Sequence, residues 1–257
     1  MSDNVLVLMT DVNYVSKCLQ TVSECRTNGN YAGDIVIIAH PDLEIDMIFN
    51  KRCKELGVHP VYFKLIDIDT IISKIKARPF SNTDGREFNK TFQWQKINIF
   101  NIFFKKWRKI LYIDAGMRII KDINILFDLV KPSVLMAHCD DYPEYRTSIA
   151  TQFEKYSYPD LYKVLSDNYN LNRMSFQTTL LIFDSSIIED DTCDKLLELA
   201  NIYHISKTNE QGIMNLYFHN IWTQLPLYRD GTFIYDFWER FGNHGSNYIM
   251  LKYPRTI

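Results

Sequence analysis

Short runs that are apolar at every position alternate with stretches of helical periodicity, and this alternation limits the fold of the chain more than any single residue does. Val5-Leu6-Val7-Leu8-Met9 has the length of a strand, and Val15, Cys18, Leu19 and Val22 follow at the spacing of one helix face between Tyr14 and Cys25. Ile35 to Ala39 forms a second such run, closed by His40-Pro41. A helical stretch from Glu44 to Leu56 then ends at Gly57, where a glycine cap is expected, and His59 to Lys64 reads as a third strand. Ile110-Leu111-Tyr112-Ile113, Met117 to Ile120 and Val134 to Ala137 extend the series of apolar runs, and Phe176 to Phe183 reads as a further strand. Ile187 to Tyr203 reads as a helix whose acidic start, Glu189, Asp190 and Asp191, suits the positive end of the dipole, and Asn209 to His219 reads as another. Strands apolar throughout must be covered on both faces, so the pattern predicts an α/β fold with a central, mostly parallel sheet flanked by helices.

Thr91 to Trp107 is predicted to be helical through Phe92, Ile99, Ile102 and Phe103, with Lys105, Lys106, Arg108 and Lys109 gathered at its C-terminal end, where cations are favoured. Pro79 to Asn89 is polar and turn-rich and reads as a surface loop, while Tyr228 to Ile257, rich in aromatic residues and glycine, matches no template. A length of 257 residues suits one α/β domain. The net charge of -2 lacks the basic footprint of a nucleic-acid-binding surface, so no nucleic-acid partner is expected. Neither the start, Met1-Ser2-Asp3-Asn4, nor any later run has the form of a leader or a membrane span. The five cysteines, Cys18, Cys25, Cys53, Cys139 and Cys193, lack the paired short spacing of zinc or redox sites and read as reduced, apolar groups in a cytoplasmic setting.

Ligands of open α/β sheets collect beyond the carboxyl ends of the strands, so a carboxylate immediately after a buried strand is well placed for chemistry. Asp114, directly after Ile110 to Ile113, has that position, and Asp140-Asp141 follows another apolar run in the same way. His40, His59, His138, His204 and His219 have no ligand spacing and read as structural.

From Phe92 to Leu129 the order is Lys96-Ile97, the strand Ile110 to Ile113, Asp114-Ala115-Gly116, the strand Met117-Arg118-Ile119-Ile120, then Lys121-Asp122-Ile123 and Leu126-Phe127. This order resembles the glycogenin-like family 8 of retaining glycosyltransferases, in which an Asp-x-Asp metal motif lies between two such strands. Three further segments extend the likeness. Thr10 and Tyr14 look like the family's nucleotide-base loop, where an aromatic ring stacks on uracil. Phe176-Gln177-Thr178 is similar to its sugar-binding segment, and Glu210-Gln211-Gly212 with Asn215 to the start of the helix that faces the donor sugar.

The resemblance implies a GT-A-type transferase that moves a hexose from a nucleotide-sugar donor, a UDP-sugar by family habit, to a glycan or protein acceptor with retention of configuration. It further implies a nucleotide-binding half over residues 1–120 and a sugar and acceptor half over 121–257. Asp114, Gln177, Glu210 and Gln211 then belong to the catalytic site, and Thr10, Tyr14, Lys96, Gly116 and Lys252 to the nucleotide diphosphate site. A divalent cation, manganese or magnesium, would be held by Asp114 and His244.

The chain departs from the pattern at Gly116, which replaces the second aspartate, and at His244, whose spacing to Lys252-Tyr253-Pro254 differs from the family's His-x-x-Gly-x-x-Lys-Pro-Trp. A hard cation bridging phosphates prefers several oxygen ligands, so the loss of one carboxylate puts the metal in question. Arg118 is near enough in sequence to Asp114 to supply charge instead. A nucleotide-sugar-binding protein without catalysis and a sugar-phosphate nucleotidyltransferase stay open as alternatives, as does homodimerisation. The second alternative lacks its glycine-rich loop, since Thr10-Asp11-Val12-Asn13 contains no glycine.

Overall fold

The first strand, β1 (Asn4–Thr10), enters the centre of the molecule because none of its residues from Val5 to Leu8 tolerates water, and all four are fully buried. The structure, a computed structural model, describes residues 3–81, 91–140, 147–237 and 247–252. Helix α1 (Val15–Thr27) returns the chain, and β2 (Asp34–Ala39), α2 (Met47–Glu55) and β3 (Val58–Val61) repeat the unit. Gly57 adopts a φ of 62°, the left-handed conformation that ends α2. After α3 (Asp69–Ala77) come two 3-10 helices, Thr91–Phe100 and Ile102–Lys106, and then β4 (Lys109–Ile113) and β5 (Met117–Ile119). The short α4 (Asn124–Phe127), β6 (Leu135–Cys139), α5 (Pro159–Asn168), β7 (Phe176–Asp184), α6 (Thr192–Ile202) and α7 (Glu210–Phe218) follow, before β8 (Trp222–Gln224), β9 (Tyr228–Arg229), β10 (Thr232–Phe237) and β11 (Tyr248–Lys252).

Among the described residues, seven strands form the main sheet in the order β3-β2-β1-β4-β7-β6-β8. Only β7 is reversed: it pairs antiparallel with both β4 and β6, while β1 to β4 are parallel neighbours and β8 lies parallel to β6. The reversal sets the geometry of the site, because the start of β7 lies on the same edge as the carboxyl ends of β4 and β6. Alternate side chains supply two cores. Val5, Val7, Ile110, Tyr112, Leu181 and Phe183 face the 3-10 helices, α6 and α7, and Leu6, Leu8, Leu111, Ile113, Leu180 and Ile182 face the other side.

The second core is roofed by a smaller sheet of order β5-β11-β10-β9. Met117 to Ile119 therefore leaves the parallel sheet to pair antiparallel with β11, and the described residues of the tail that matched no template form three strands. The run Thr91 to Trp107 is not an α-helix. Every residue from Trp94 to Phe100 is buried, so no solvated face exists to favour an amphipathic helix, and Asn101 breaks the run by accepting the amide of Phe103 at 2.9 Å. The loop expected over Pro79 to Asn89 lies outside the described residues from position 82 onward.

One buried hydroxyl ties α1 to the turn after β4. Thr21 Oγ1 accepts from the amide of Gly116 at 3.1 Å and lies 2.8 Å from the Met117 carbonyl and 3.0 Å from that of Lys17. Substituting Thr21→Val keeps the shape but strands the Gly116 amide and the Met117 carbonyl. We expect a loss of about 1–3 kcal/mol in urea unfolding, and an unchanged midpoint would show that the hydroxyl does not anchor the turn.

Candidate active site

Asp114 stands directly after β4, its amide donating to the Thr179 carbonyl on β7 at 2.9 Å. Its Oδ1 accepts from the Tyr112 hydroxyl at 2.7 Å and from Lys96 Nζ at 3.0 Å. Lys96 rises from the first 3-10 helix and is buried, whereas the Asp114 side chain keeps 28% of its surface accessible, so a ligand arriving at the sheet edge meets the carboxylate first. Lys96 Nζ also lies 3.1 Å from Thr178 Oγ1, 3.3 Å from the Thr178 carbonyl and 3.4 Å from Glu210 Oε1. Glu210, the first residue of α7, is fully buried and accepts from Gln93 Nε2 at 2.9 Å, while its Oε2 has no hydrogen-bond partner among the described residues.

A buried ammonium is thus held between two carboxylates, and each group is tuned by the others. Burial works against the charge on Lys96, but Asp114 and Glu210 outweigh it and hold the ammonium above its ordinary pKa. Burial likewise opposes ionisation of Asp114, and Lys96, Lys252 and the Tyr112 hydroxyl together overcome it, so this carboxyl ionises below the usual range. For Glu210 burial prevails over Lys96 and Gln93, and its pKa is raised.

The start of β7 and α7 supply a polar wall beside this triad. Gln211 Nε2 donates to Asp140 Oδ1 at 3.0 Å, and its Oε1 accepts the Thr178 amide at 3.3 Å. Gln152 Nε2 donates to the other Asp140 oxygen at 2.6 Å. Gln177 accepts from the Tyr235 hydroxyl of β10 at 3.2 Å. Asn215 pins α7 to β7 by bonding both the amide and the carbonyl of Phe176, at 2.7 and 2.8 Å. Directly before Glu210, Asn209 holds a φ of 51°, a conformation that costs about 1–3 kcal/mol outside glycine and is tolerated where a site dictates it.

Asp114, Lys96, Gln177, Glu210 and Gln211 are therefore gathered on one edge, although four different segments contribute them. Lys252, the last residue of β11, joins them: its Nζ is 3.9 Å from Asp114 Oδ2 and 3.4 Å from the Ala115 carbonyl. Thr10 ends β1 and is buried, with its hydroxyl turned to the Asp11 carbonyl at 3.0 Å. Tyr14 is exposed at the head of α1. Arg118 is directed elsewhere: its Nε donates to Glu24 Oε1 at 2.7 Å, because β5 turns into the second sheet and aims the side chain at α1. His244 and Asp141 lie outside the described residues.

His138 is fully buried against Tyr235, and burial lowers its pKa to about 3. All five cysteines are free, and burial pushes the Cys53 thiol to about 11 and that of Cys193 to about 12.

The residues described do not compose the donor set of a divalent cation. Asp114 Oδ1 is engaged by an ammonium and a phenol, Gly116 has no side chain, and no group of three His, Cys, Asp or Glu converges among the described residues. Four contributors, Gln93, Tyr112, Gln152 and Tyr235, lie outside the residues that the motifs single out. Tyr112 had a readable signal, since the period of two puts it on the same strand face as Asp114. Gln93, Gln152 and Tyr235 are positioned only by tertiary structure.

No family model matches the chain. Among curated proteins, the glycosyltransferase GlyB of Streptococcus pneumoniae serotype 4 is 26% identical over 225 residues, covering 88% of this chain and 47% of the relative. The chain thus spans about half the length of the curated relative that it matches. The structure of the galactosyltransferase LgtC with donor and acceptor sugar analogues aligns over 91% of this chain and 75% of that one, with a TM-score of 0.60 and 10% identity. The apo structure of the bifunctional glycosyltransferase WbbM aligns over 92% of this chain and 40% of its own, with a TM-score of 0.57 and 19% identity. The fold is accordingly the GT-A type, a mixed α/β architecture around a mostly parallel sheet.

Removing the central cation should reveal how the triad is held together. Lys96→Met leaves two carboxylates facing each other in a buried site and should cost about 3–5 kcal/mol at neutral pH. Stability of this variant should rise as pH falls, because a carboxyl whose folded pKa is raised, as that of Glu210 already is, binds its proton more tightly in the native state. A pH series of urea midpoints tests this, and a cost independent of pH between 5 and 8 would deny the electrostatic origin.

Proposed function

We propose that this chain is a glycosyltransferase that moves a hexose from a nucleotide-sugar donor, a UDP-sugar in the simplest reading, to a glycan or protein acceptor. The observation that carries the proposal is the Lys96, Asp114 and Glu210 triad at the carboxyl edge of the parallel sheet, with Lys252 reaching it from the second sheet. Its place in a fold shared with glycosyltransferases supports the reading. In glycosyl transfer the sugar gains positive charge while the departing nucleoside diphosphate gains negative charge, so fixed cations beside the leaving group lower the barrier. Lys252 faces the accessible side of Asp114 and is placed to receive the diphosphate. Lys96 keeps Asp114 ionised and oriented, and Glu210 keeps Lys96 charged.

The amides of Gln177 and Gln211 with the carboxylate of Asp140 offer hydrogen bonds to sugar hydroxyls, and the exposed ring of Tyr14 offers a stacking face to the base. Thr10 would shape the floor of the base loop from within. Residues 1–120 then serve chiefly the nucleotide and residues 121–257 chiefly the sugar and acceptor. Retention of configuration is the outcome that the family likeness implies. Free thiols, four of the five buried, agree with a cytoplasmic location. Gly116 favours one second reading, a nucleotide-sugar-binding protein without turnover, because a carboxylate expected beside the diphosphate is missing.

A thermal-shift panel of UDP, GDP, CMP and their sugars separates these readings. Ligand at a hundredfold over Kd adds about 2.7 kcal/mol, and uridine compounds should give the largest rise. A panel without any uridine response would remove the donor assignment. Asp114→Asn should lower donor hydrolysis or transfer by about 100- to 1,000-fold in protein that is still folded at the assay temperature, with a lowered melting temperature because Lys96 loses one of its two counter-charges. Donor binding without turnover in the unaltered protein would establish the second reading.

A further inference from the structure

We infer that the donor diphosphate is neutralised by lysines in place of a divalent cation, with Lys17 standing over Gly116 where the missing carboxylate and its metal would otherwise lie. The inference rests on the donor reading above and concerns how that same site handles charge. Gly116 has a φ of 88°, and a Cβ built there would lie 3.5 Å from Cδ of Lys17, so this side chain covers the turn after Asp114. Lys17 Nζ is 5.6 Å from the centroid of the Tyr14 ring. The stem of Lys17 thus crosses the turn after Asp114 while its ammonium lies beside Tyr14, the surface proposed for the base, so the residue borders the route that a diphosphate would take from base to sugar.

Lys17 also occupies the first turn of α1, where no acidic residue is present and where the helix dipole disfavours a cation. A bound anion offsets that conflict. Across the same turn Lys252 lies 3.9 Å from Asp114 Oδ2, and Lys96 holds Oδ1 at 3.0 Å. A divalent ion on this carboxylate would be brought against both ammonium groups, whereas a diphosphate meets cations already in place.

Titration calorimetry of the whole chain with UDP, in EDTA and separately in manganese, tests the inference without relying on turnover. Binding should be equal within about threefold in the two buffers. Lys17→Ala should weaken UDP binding by about tenfold while changing UMP binding less, since UMP lacks the second phosphate. Lys17→Arg should restore it. The melting temperature of ligand-free Lys17→Ala should be unchanged or higher, because the side chain is exposed and opposes the dipole. UDP binding that needs manganese, or a Lys17→Ala variant that binds UDP as well as the unaltered chain does, would overturn the inference and leave the donor reading intact. Failure of UDP to bind in either buffer would remove both.

Discussion

The buried ammonium of Lys96, held between Asp114 and Glu210, is the interaction on which the arrangement of the site depends. A charge out of water is retained only where opposite charge and hydrogen bonds surround it, and here Thr178, Asp114 and Glu210 together meet that demand. The consequence is structural as well as chemical. A 3-10 helix, the end of β4, the start of β7 and the start of α7 must all be in register for the ammonium to be satisfied. The same contacts leave Asp114 as the part-exposed member, so the side of the cluster that faces a ligand is the carboxylate whose ionisation is best supported.

Strand direction explains how distant segments reach this point. In a purely parallel sheet the start of β7 would lie at the opposite edge, and Gln177 and Thr178 would be far from Asp114. Its reversal between β4 and β6 brings the first residues of β7 beside the last residues of its neighbours. The second sheet adds the other half of the enclosure, with Tyr235 directed at Gln177 and Lys252 at Asp114. Gly116 lets the chain turn sharply between the two sheets, at a φ that L side chains rarely adopt.

Much of the scaffold was legible in the order of residues. β1, β2, β4 and the second half of β7, Leu180 to Phe183, are runs apolar at nearly every position, and a fully covered strand has little alternative sequence. Helix α1 and the glycine stop after α2 were equally plain, because each follows from local backbone and solvent preferences. The run after residue 91 departs from the α-helix that its spacing predicts, since burial on every side erases the periodicity that distinguishes one helical geometry from another. The strands β9 to β11 were invisible for a related reason: short strands of a small sheet draw their stability from partners far along the chain.

The sequence by itself determined the α/β class, the place of Asp114 after a buried strand, and the residue types of a polar site, all of which depend on neighbours within a few positions. Only the tertiary structure decided which of those residues meet. Arg118, two positions past Gly116, is drawn to Glu24 on α1, whereas Lys252, more than a hundred residues away, comes within 3.9 Å of Asp114. Such pairings are set by strand direction and sheet partners, and these are properties of the folded chain as a whole that no local spacing of side chains encodes.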